Sequence, residues 1–333
     1  MGRLAGVERC AARCAARRDA PDTEDCARDV TGRELSLDFD YTGANLVFVV
    51  GCPRSGTTWV QRLLATHPRI RTGQESDVFD LYVGPQLRAW QHELDPDSSG
   101  RGGVGLGCYF QQDQFLQILK RYTLELLQPM VGDLEAEELF VEKTPSHVLF
   151  IPEIVALLPR ARFVHVVRDA RDTVASLLGA SRTWGRSWAP RRASNAAATW
   201  VTHVQAGLNA QRALPAAQFV EFHYEALHVD GKRALRQLVD WLDVPWTDAD
   251  IRSALERNSP DAARAGRGTP IPLGGEFAVS IGPVVKEPEG FIRQARAGAW
   301  RDDLTPVEKL AVWRVARSTM AEVGYTWSAP WSP

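Results

Sequence analysis

The stretch Phe48–Leu64, FVVGCPRSGTTWVQRLL, constrains the fold more than any other part of the chain. An apolar, β-branched run ends at Gly51, Gly56 follows in the spacing G-x-x-x-x-G, and an amphipathic helical pattern starts at Thr57. A strand that turns through glycines into a helix offers backbone N–H groups, and the positive end of that helix, to an anion. Thr57, however, stands where a nucleoside-triphosphate loop carries its lysine. Arg54 supplies a cation from inside the loop, Ser55 and Gly56 continue it, and Thr57 and Thr58 add hydroxyls in the first helical turn. Such a loop suits a phosphate compound that needs neither the lysine nor its Mg²⁺ partner.

The rest of the pattern is α/β. Apolar strand-like runs at Leu46–Gly51, Leu139–Glu142, Arg162–Val167 and Gln218–Phe222 are each followed by amphipathic helical stretches, at about Thr57–Thr66, Ser146–Leu158, Ala170–Leu178 and Lys232–Leu242. That alternation predicts a P-loop-type central parallel β-sheet flanked by helices. Further helices are expected at Gln112–Gln128, Ser194–Leu214 and Pro306–Val323. Asp95–Gly107 reads as a glycine-rich loop, and Ala265–Gly290 is too rich in Gly and Pro to be regular and could form a lid. Residues 1–44 read as a polar extension with one short helix, and 45–333 as a single domain.

Composition narrows the partners. A net charge of −2 gives no general attraction to nucleic acid or to anionic lipid, so an anion site must come from locally gathered arginines. Five cysteines without a C-x-x-C pair indicate neither a disulfide framework nor a zinc site; Cys10 and Cys14 read as one helix face, and a reducing cytoplasm is the default. No export signal and no membrane helix is expected from the sequence. His203, His223 and His228 have no ligand spacing, so no metal is expected. His67 is read as shaping the turn after the first helix, and His165 as a satisfied core histidine.

Taken whole, PRSGTTW at Pro53–Trp59 resembles the 5′-phosphosulfate loop of the sulfotransferases that use 3′-phosphoadenosine 5′-phosphosulfate (PAPS), in the form with arginine found in Golgi-type and many bacterial members. A second motif agrees: FVHVVRDARDTVASLL, Phe163–Leu178, is a strand ending in Arg168 with Ser176 two turns into the next helix, and in the family these positions grip the 3′-phosphate. By the same resemblance Trp59 lies against the adenine. EFHYEAL, Glu221–Leu227, is similar to the family's strand with a Tyr-Glu pair, which implies Tyr224 near the adenine. RQARAGAWR, Arg293–Arg301, resembles the late element that returns to the nucleotide, with Ala295 in place of its first glycine; it offers Arg293, and Arg296 or Arg301, as phosphate partners. The resemblance spans about Leu46–Arg301 and implies the sulfotransferase fold, PAPS as co-substrate, PAP as product, and no metal.

Sulfuryl transfer needs an in-line acceptor oxygen, a base for its proton, and cations over the leaving phosphate. The cytosolic branch uses a histidine in K-T-H, but here the run is VEKTPSH and Pro145 occupies that place. The tyrosylprotein branch uses a glutamate shortly after the first helix; HPRIRTGQES, His67–Ser76, puts Glu75 there, and Lys143 matches the lysine directed at the bridging oxygen. His147 and Asp77 stand as reserve candidates for the base.

The acceptor pocket is expected from Asp77–Gly107, Ser181–Arg192 and Ala265–Gly290, where Trp184 and Trp188 lie among arginines; the reading is a small-molecule hydroxyl, and a homo-oligomer is allowed. The rival readings are a P-loop kinase using ATP and a catalytically silent nucleotide-binding protein. The first lacks G-K-[ST]; Glu75 and Lys143 speak against the second.

Overall fold

The computed structural model of the chain describes residues 37–38, 40–95, 97 and 104–326. The helix expected before residue 44, with Cys10 and Cys14, lies outside the described residues, as does part of the Asp95–Gly107 loop.

Five strands form one sheet: β1 (Leu46–Gly51), β2 (Ile70–Thr72), β3 (Leu139–Glu142), β4 (Arg162–Val167) and β5 (Phe219–His223). Their order is β2-β3-β1-β4-β5, and every pairing is parallel. The longer helices are α1 (Thr57–Leu64), α2 (Gly84–Leu94), α3 (Gln112–Val131), α4 (Ile151–Leu157), α5 (Ala170–Arg182), α6 (Ala193–Ala213), α7 (Ala226–Trp241), α8 (Asp248–Arg257) and α9 (Pro306–Glu322).

β1 shows why the sheet forms. It is central, and its residues are all buried. Successive side chains of a strand point to opposite faces, so a strand covered on both sides must be apolar throughout. Leu46, Phe48 and Val50 enter one core with Phe79, Phe163, Leu127 and Ile151, whereas Val47 and Val49 enter the other with Val60, Leu63, Leu235 and Val239. Phe48 stacks on Phe163 at 5.5 Å between ring centroids. Truncating a side chain so enclosed costs about 3–5 kcal/mol.

Several expectations are corrected. β2 is too short to stand out in the sequence; its edge position needs only a three-residue run, and Ile70 alone of its apolar positions feeds the core. The stretch expected to be helical from Ser146 opens as a 3₁₀ segment, Pro145–Phe150, before α4. α7 begins at Ala226 rather than Lys232, and it is kinked at Asp230. The Gly- and Pro-rich segment holds one short helix, Gly275–Ile281, and is pinned to itself where Leu273 N–H donates to Pro283 O at 2.9 Å and Val285 N–H to Ile271 O at 2.9 Å. His165 is fully buried, as expected, but among the described residues neither ring nitrogen has a hydrogen-bond partner, so it is not satisfied there. His67 does shape its turn: Nδ1 accepts from Arg69 N–H at 3.1 Å.

Because all five strands are parallel, their carboxyl ends share one edge. The loop Cys52–Gly56 leaves β1, Glu75 follows β2, Lys143 follows β3, Arg168 follows β4 and Tyr224 follows β5. Each residue singled out near a strand end therefore falls on the edge where open α/β sheets bind ligands.

Candidate active site

The loop after β1 is shaped by two unusual backbone conformations. Gly56, the residue before α1, has φ 102°, and a Cβ there would meet the Tyr224 ring at 2.4 Å. Arg54 has φ 75°, a left-handed conformation that a non-glycine residue adopts at a cost and that concentrates at functional sites. The turn aims the Arg54 side chain along α5: Nε donates to Ser176 Oγ at 3.1 Å and Nη2 donates to the Phe291 carbonyl. The guanidinium lies 5.2 Å from the Trp184 ring centroid and 4.4 Å from that of Phe291. Burial first, and then Arg168 beside it, pull its pKa down to about 10, so it remains a cation at neutral pH.

Arg168 is buried at the end of β4. It donates from Nη1 to the Arg54 carbonyl at 3.4 Å and from Nη2 to the Arg296 carbonyl at 3.2 Å, and its guanidinium lies 4.2 Å from the Tyr224 ring centroid. Among the described residues its Nε has no partner, nor does Arg293 Nε; the buried Ser55 Oγ is also unpaired there. Buried polar groups without partners are costly, so the unpaired N–H groups of Arg168 and Arg293, which line one cleft, fit an anionic ligand.

That cleft, its open mouth included, has about 890 Å³ of empty space. Arg54, Gly56, Thr57, Thr58 and Trp59 line it together with Arg168, Ser176, Tyr224 and Arg293. Trp59, Tyr224 and His228 pack on one another as an aromatic cluster, with ring centroids 5.5 Å (Trp59–Tyr224), 5.1 Å (Trp59–His228) and 4.9 Å (Tyr224–His228) apart, and Trp59 and Tyr224 line the cleft. Trp59 is held by its indole N–H, which donates to the Asn258 carbonyl at 2.8 Å. Aromatic rings on the wall of a cleft that clustered arginines also line suit a purine nucleotide.

Glu75 and Lys143 form an ion pair: Lys143 Nζ donates to Glu75 Oε1. The lysine side chain is 3% exposed and the glutamate 42%, so the carboxylate opens toward solvent while the ammonium is enclosed. Asp77 lies in the turn after Glu75 with φ 49°. His147 is fully buried: Nδ1 bonds Glu142 Oε2 at 2.9 Å and Nε2 accepts from Phe79 N–H at 3.2 Å, which leaves neither nitrogen for a substrate.

Five predicted residues are not among those lining the cleft: Glu75 and Lys143, whose ion pair follows β2 and β3, Ser55, and Arg296 and Arg301 of the late segment. Arg296 donates from Nε to Gln294 Oε1 at 2.8 Å and pairs through Nη2 with Asp302; only its backbone carbonyl reaches Arg168. Arg301 turns back over Trp300, 4.7 Å from the ring centroid. The reason is the docking of this late segment: Gly298 N–H and Trp300 N–H both donate to Asp172 on α5, at 2.6 and 2.8 Å, which fixes the backbone and sends those side chains outward. Arg293 stays on the cleft, paired with Asp303 at 2.7 Å. Sequence reasoning missed His228, Asn258 and Phe291. His228 sits one helical turn past Tyr224, a spacing that could have flagged it; Asn258 acts through its carbonyl, which leaves no sequence signal.

Comparison with known proteins decides the family. The model of the sulfotransferase family matches residues 46–248. The chain belongs to the sulfotransferase family. Among relatives of this sulfotransferase, protein-tyrosine sulfotransferase 1 of Danio rerio is 28% identical over 222 residues, covering 66% of this chain and 59% of that protein. Protein-tyrosine sulfotransferase of Drosophila melanogaster is 26% identical over 217 residues, 65% of this chain and 41% of that protein. The chain thus spans only about half the length of the curated relatives it matches. Among solved structures, mouse sulfotransferase SULT7A1 complexed with PAP is similar at TM-score 0.54 and 14% identity, covering 86% of this chain and 88% of that one. The sulfotransferase domain of the Synechococcus PCC 7002 olefin synthase is similar at TM-score 0.51 and 18% identity, over 84% and 96%. At such identities the likeness shows the shared sulfotransferase fold. Among the described residues no helix is long and apolar enough to cross a membrane, and no group of three His, Cys, Asp or Glu side chains could hold a metal ion.

Proposed function

We propose that the chain moves a sulfuryl group from PAPS to a hydroxyl of a small-molecule acceptor, releasing PAP. The observation that carries this reading is the meeting of the loop after β1 with Arg168 and Ser176 on one cleft that Trp59 and Tyr224 also line. One anion cradle alone would suit any phosphate; two cationic subsites around one cleft suit a nucleotide bearing phosphoryl groups on both the 5′ and 3′ sides. In this reading Thr57, Thr58, the loop amides and Arg54 hold the 5′-phosphosulfate end. Arg168, Ser176 and Arg293 hold the 3′-phosphate, and Trp59 and Tyr224 flank the adenine.

Glu75 takes the proton of the acceptor hydroxyl as the acceptor oxygen bonds to sulfur and the bond from sulfur to the bridging oxygen breaks. Lys143 and Arg54 neutralise the charge arriving on the leaving phosphate. The resting ion pair supports this pairing of roles, since a lysine drawn to the bridging oxygen frees the Glu75 carboxylate to accept a proton. Trp184, Trp188 and Phe291, with ring centroids 5.5 Å (Trp184–Trp188) and 5.2 Å (Trp184–Phe291) apart beside Arg54, supply an apolar wall for a compact acceptor. The names of the relatives favour a second acceptor, a tyrosyl side chain of a peptide. Residues 1–44 lie before the matched region and are read as an extension to the domain, and the reaction is assigned to the cytoplasm, in keeping with the free thiols of Cys52 and Cys108.

The test is turnover of PAPS over a panel of phenols, sugars, alkyl alcohols and tyrosyl peptides, following PAP release and sulfated product. Stoichiometric product from a small hydroxyl compound supports the proposal; product from tyrosyl peptides alone replaces its acceptor, and transfer of phosphate from Mg·ATP in place of sulfate overturns it.

A further inference from the structure

Glu142 immediately precedes Lys143 at the end of β3 and is 1% exposed. Its carboxylate is nonetheless saturated. Oε1 accepts from Ser76 N–H at 3.3 Å, Ser76 Oγ at 2.8 Å and Thr144 Oγ1 at 2.7 Å; Oε2 accepts from Thr144 N–H at 3.1 Å and lies 2.9 Å from His147 Nδ1. Every one of these groups comes from the residue after Glu75 or from the turn after Lys143. Burial alone would raise a carboxyl's pKa; the contacts with His147, Thr144 and Ser76 outweigh it and hold Glu142 below the ordinary carboxylate range.

His147 locks the other end. Its acidic neighbours oppose the effect of burial and shift it upward on balance, yet the Phe79 N–H aimed at Nε2 requires a lone pair there, so the tautomer assigned is Nδ1–H with Nδ1 donating to Glu142. The ring packs edge-on against Phe79 at 5.5 Å and against Phe48 at 6.0 Å, so it cannot rotate away.

We infer that Glu142, buttressed by His147, is the positioning residue that holds Glu75 against Lys143; this rests on the roles proposed for those two residues. Glu75 follows a three-residue strand on an irregular loop, and its own N–H reaches only the neighbouring Gln74 Oε1, at 3.1 Å. On the strand side Gln61 Nε2 donates to the Gly73 carbonyl at 2.8 Å; past Glu75 the loop is tied by the two bonds from Ser76 to Glu142, with Ser76 N–H and Asp77 N–H also reaching Thr144 Oγ1, at 3.1 and 3.4 Å. Only an acceptor-only group fits this place. Glutamine would point its NH₂ either at the Ser76 and Thr144 donors or at Thr144 N–H and His147 Nδ1–H; switching the His147 tautomer would then set Nε2–H against Phe79 N–H.

An anchor that serves stability alone would lower the melting temperature and leave turnover of the folded protein intact; a positioning residue lowers kcat in protein that still binds nucleotide. In Glu142→Gln, kcat should fall about 10²-fold, as for misplacement of a catalytic group by roughly 1 Å, with KM for PAPS and Kd for PAP within about twofold of wild type. Amide exchange at Ser76 and Asp77 should speed up. Glu142→Gln combined with Glu75→Gln should be no more than about twofold slower than Glu75→Gln alone, because the two losses act through one group. Should Glu142→Gln fail to fold, the His147 pair carries the test: His147→Asn, whose amide N–H replaces Nδ1–H, should turn over about tenfold faster than His147→Leu. Near-normal kcat in Glu142→Gln, losses that multiply in the double variant, or unchanged exchange at Ser76 and Asp77 would overturn the inference. Full turnover by Glu75→Gln would instead remove the base assignment, while the exchange readout still reports on Glu142.

Discussion

Lys143 reaches Glu75 across the boundary between β3 and β2, the enclosed ammonium donating to a half-open carboxylate. The two residues lie far apart in sequence, and the parallel pairing of their strands brings the following loops together. An enclosed lysine tolerates burial only when paired, so the partner is part of why it can sit there.

If this pair carries the proton and the leaving-group charge, Glu75→Gln and Lys143→Ala should each lower kcat by about 10²–10³-fold. Binding of PAP should survive in Glu75→Gln. Steady-state kinetics on PAPS with calorimetry on PAP separates the two effects, and wild-type turnover in both variants contradicts the assignment.

Gly56 should not tolerate a side chain. At φ 102° an alanine is strained, by on the order of 1–3 kcal/mol, and its methyl would displace the Tyr224 ring that lines the cleft beside Trp59. Gly56→Ala is therefore expected to weaken PAP binding at least about tenfold and to lower the melting temperature. Calorimetry and thermal unfolding measure both, and unchanged PAP affinity would separate the Tyr224 ring from the nucleotide.

His165 predicts an acid-side loss of stability. Burial pulls its pKa from the ordinary 6.5 to about 4, so between these values the unfolded chain takes a proton that the native chain refuses. Stability must then fall as pH drops through that window, by up to on the order of 3 kcal/mol from this group. His165→Leu should remove that slope; equal pH dependence of denaturant midpoints in the two proteins from pH 7 to pH 4 would show that His165 does not produce it.

Much of this was legible in the sequence because glycine spacing, apolar runs and strand-end positions are local signals. Arg54, Ser176 and Arg168 were readable from two motifs, and a parallel sheet then had to bring the strand ends together. What escaped was set by tertiary context. Arg296 and Arg301 sit in a motif-like run, but the Asp172 carboxylate captures the backbone of that run and turns their side chains outward. His165 reads as an ordinary core residue, and only the neighbours it meets, Gly207 and Phe219 among them, reveal that none offers its ring nitrogens a partner. Asn258 contributes a carbonyl that no side-chain pattern announces.

The central claim is that the cleft is built for a nucleotide with phosphoryl groups at both 5′ and 3′ positions. The most direct measurement is calorimetric titration of the wild-type chain and Arg168→Ala with adenosine 3′,5′-bisphosphate, adenosine 5′-monophosphate and Mg·ATP. Metal-independent binding of the bisphosphate, tighter than the other two by at least about tenfold and losing that margin in Arg168→Ala, is the predicted result, since each charge-assisted contact contributes about 1.5–3 kcal/mol. Preference for Mg·ATP, or a bisphosphate margin untouched by Arg168→Ala, would contradict it.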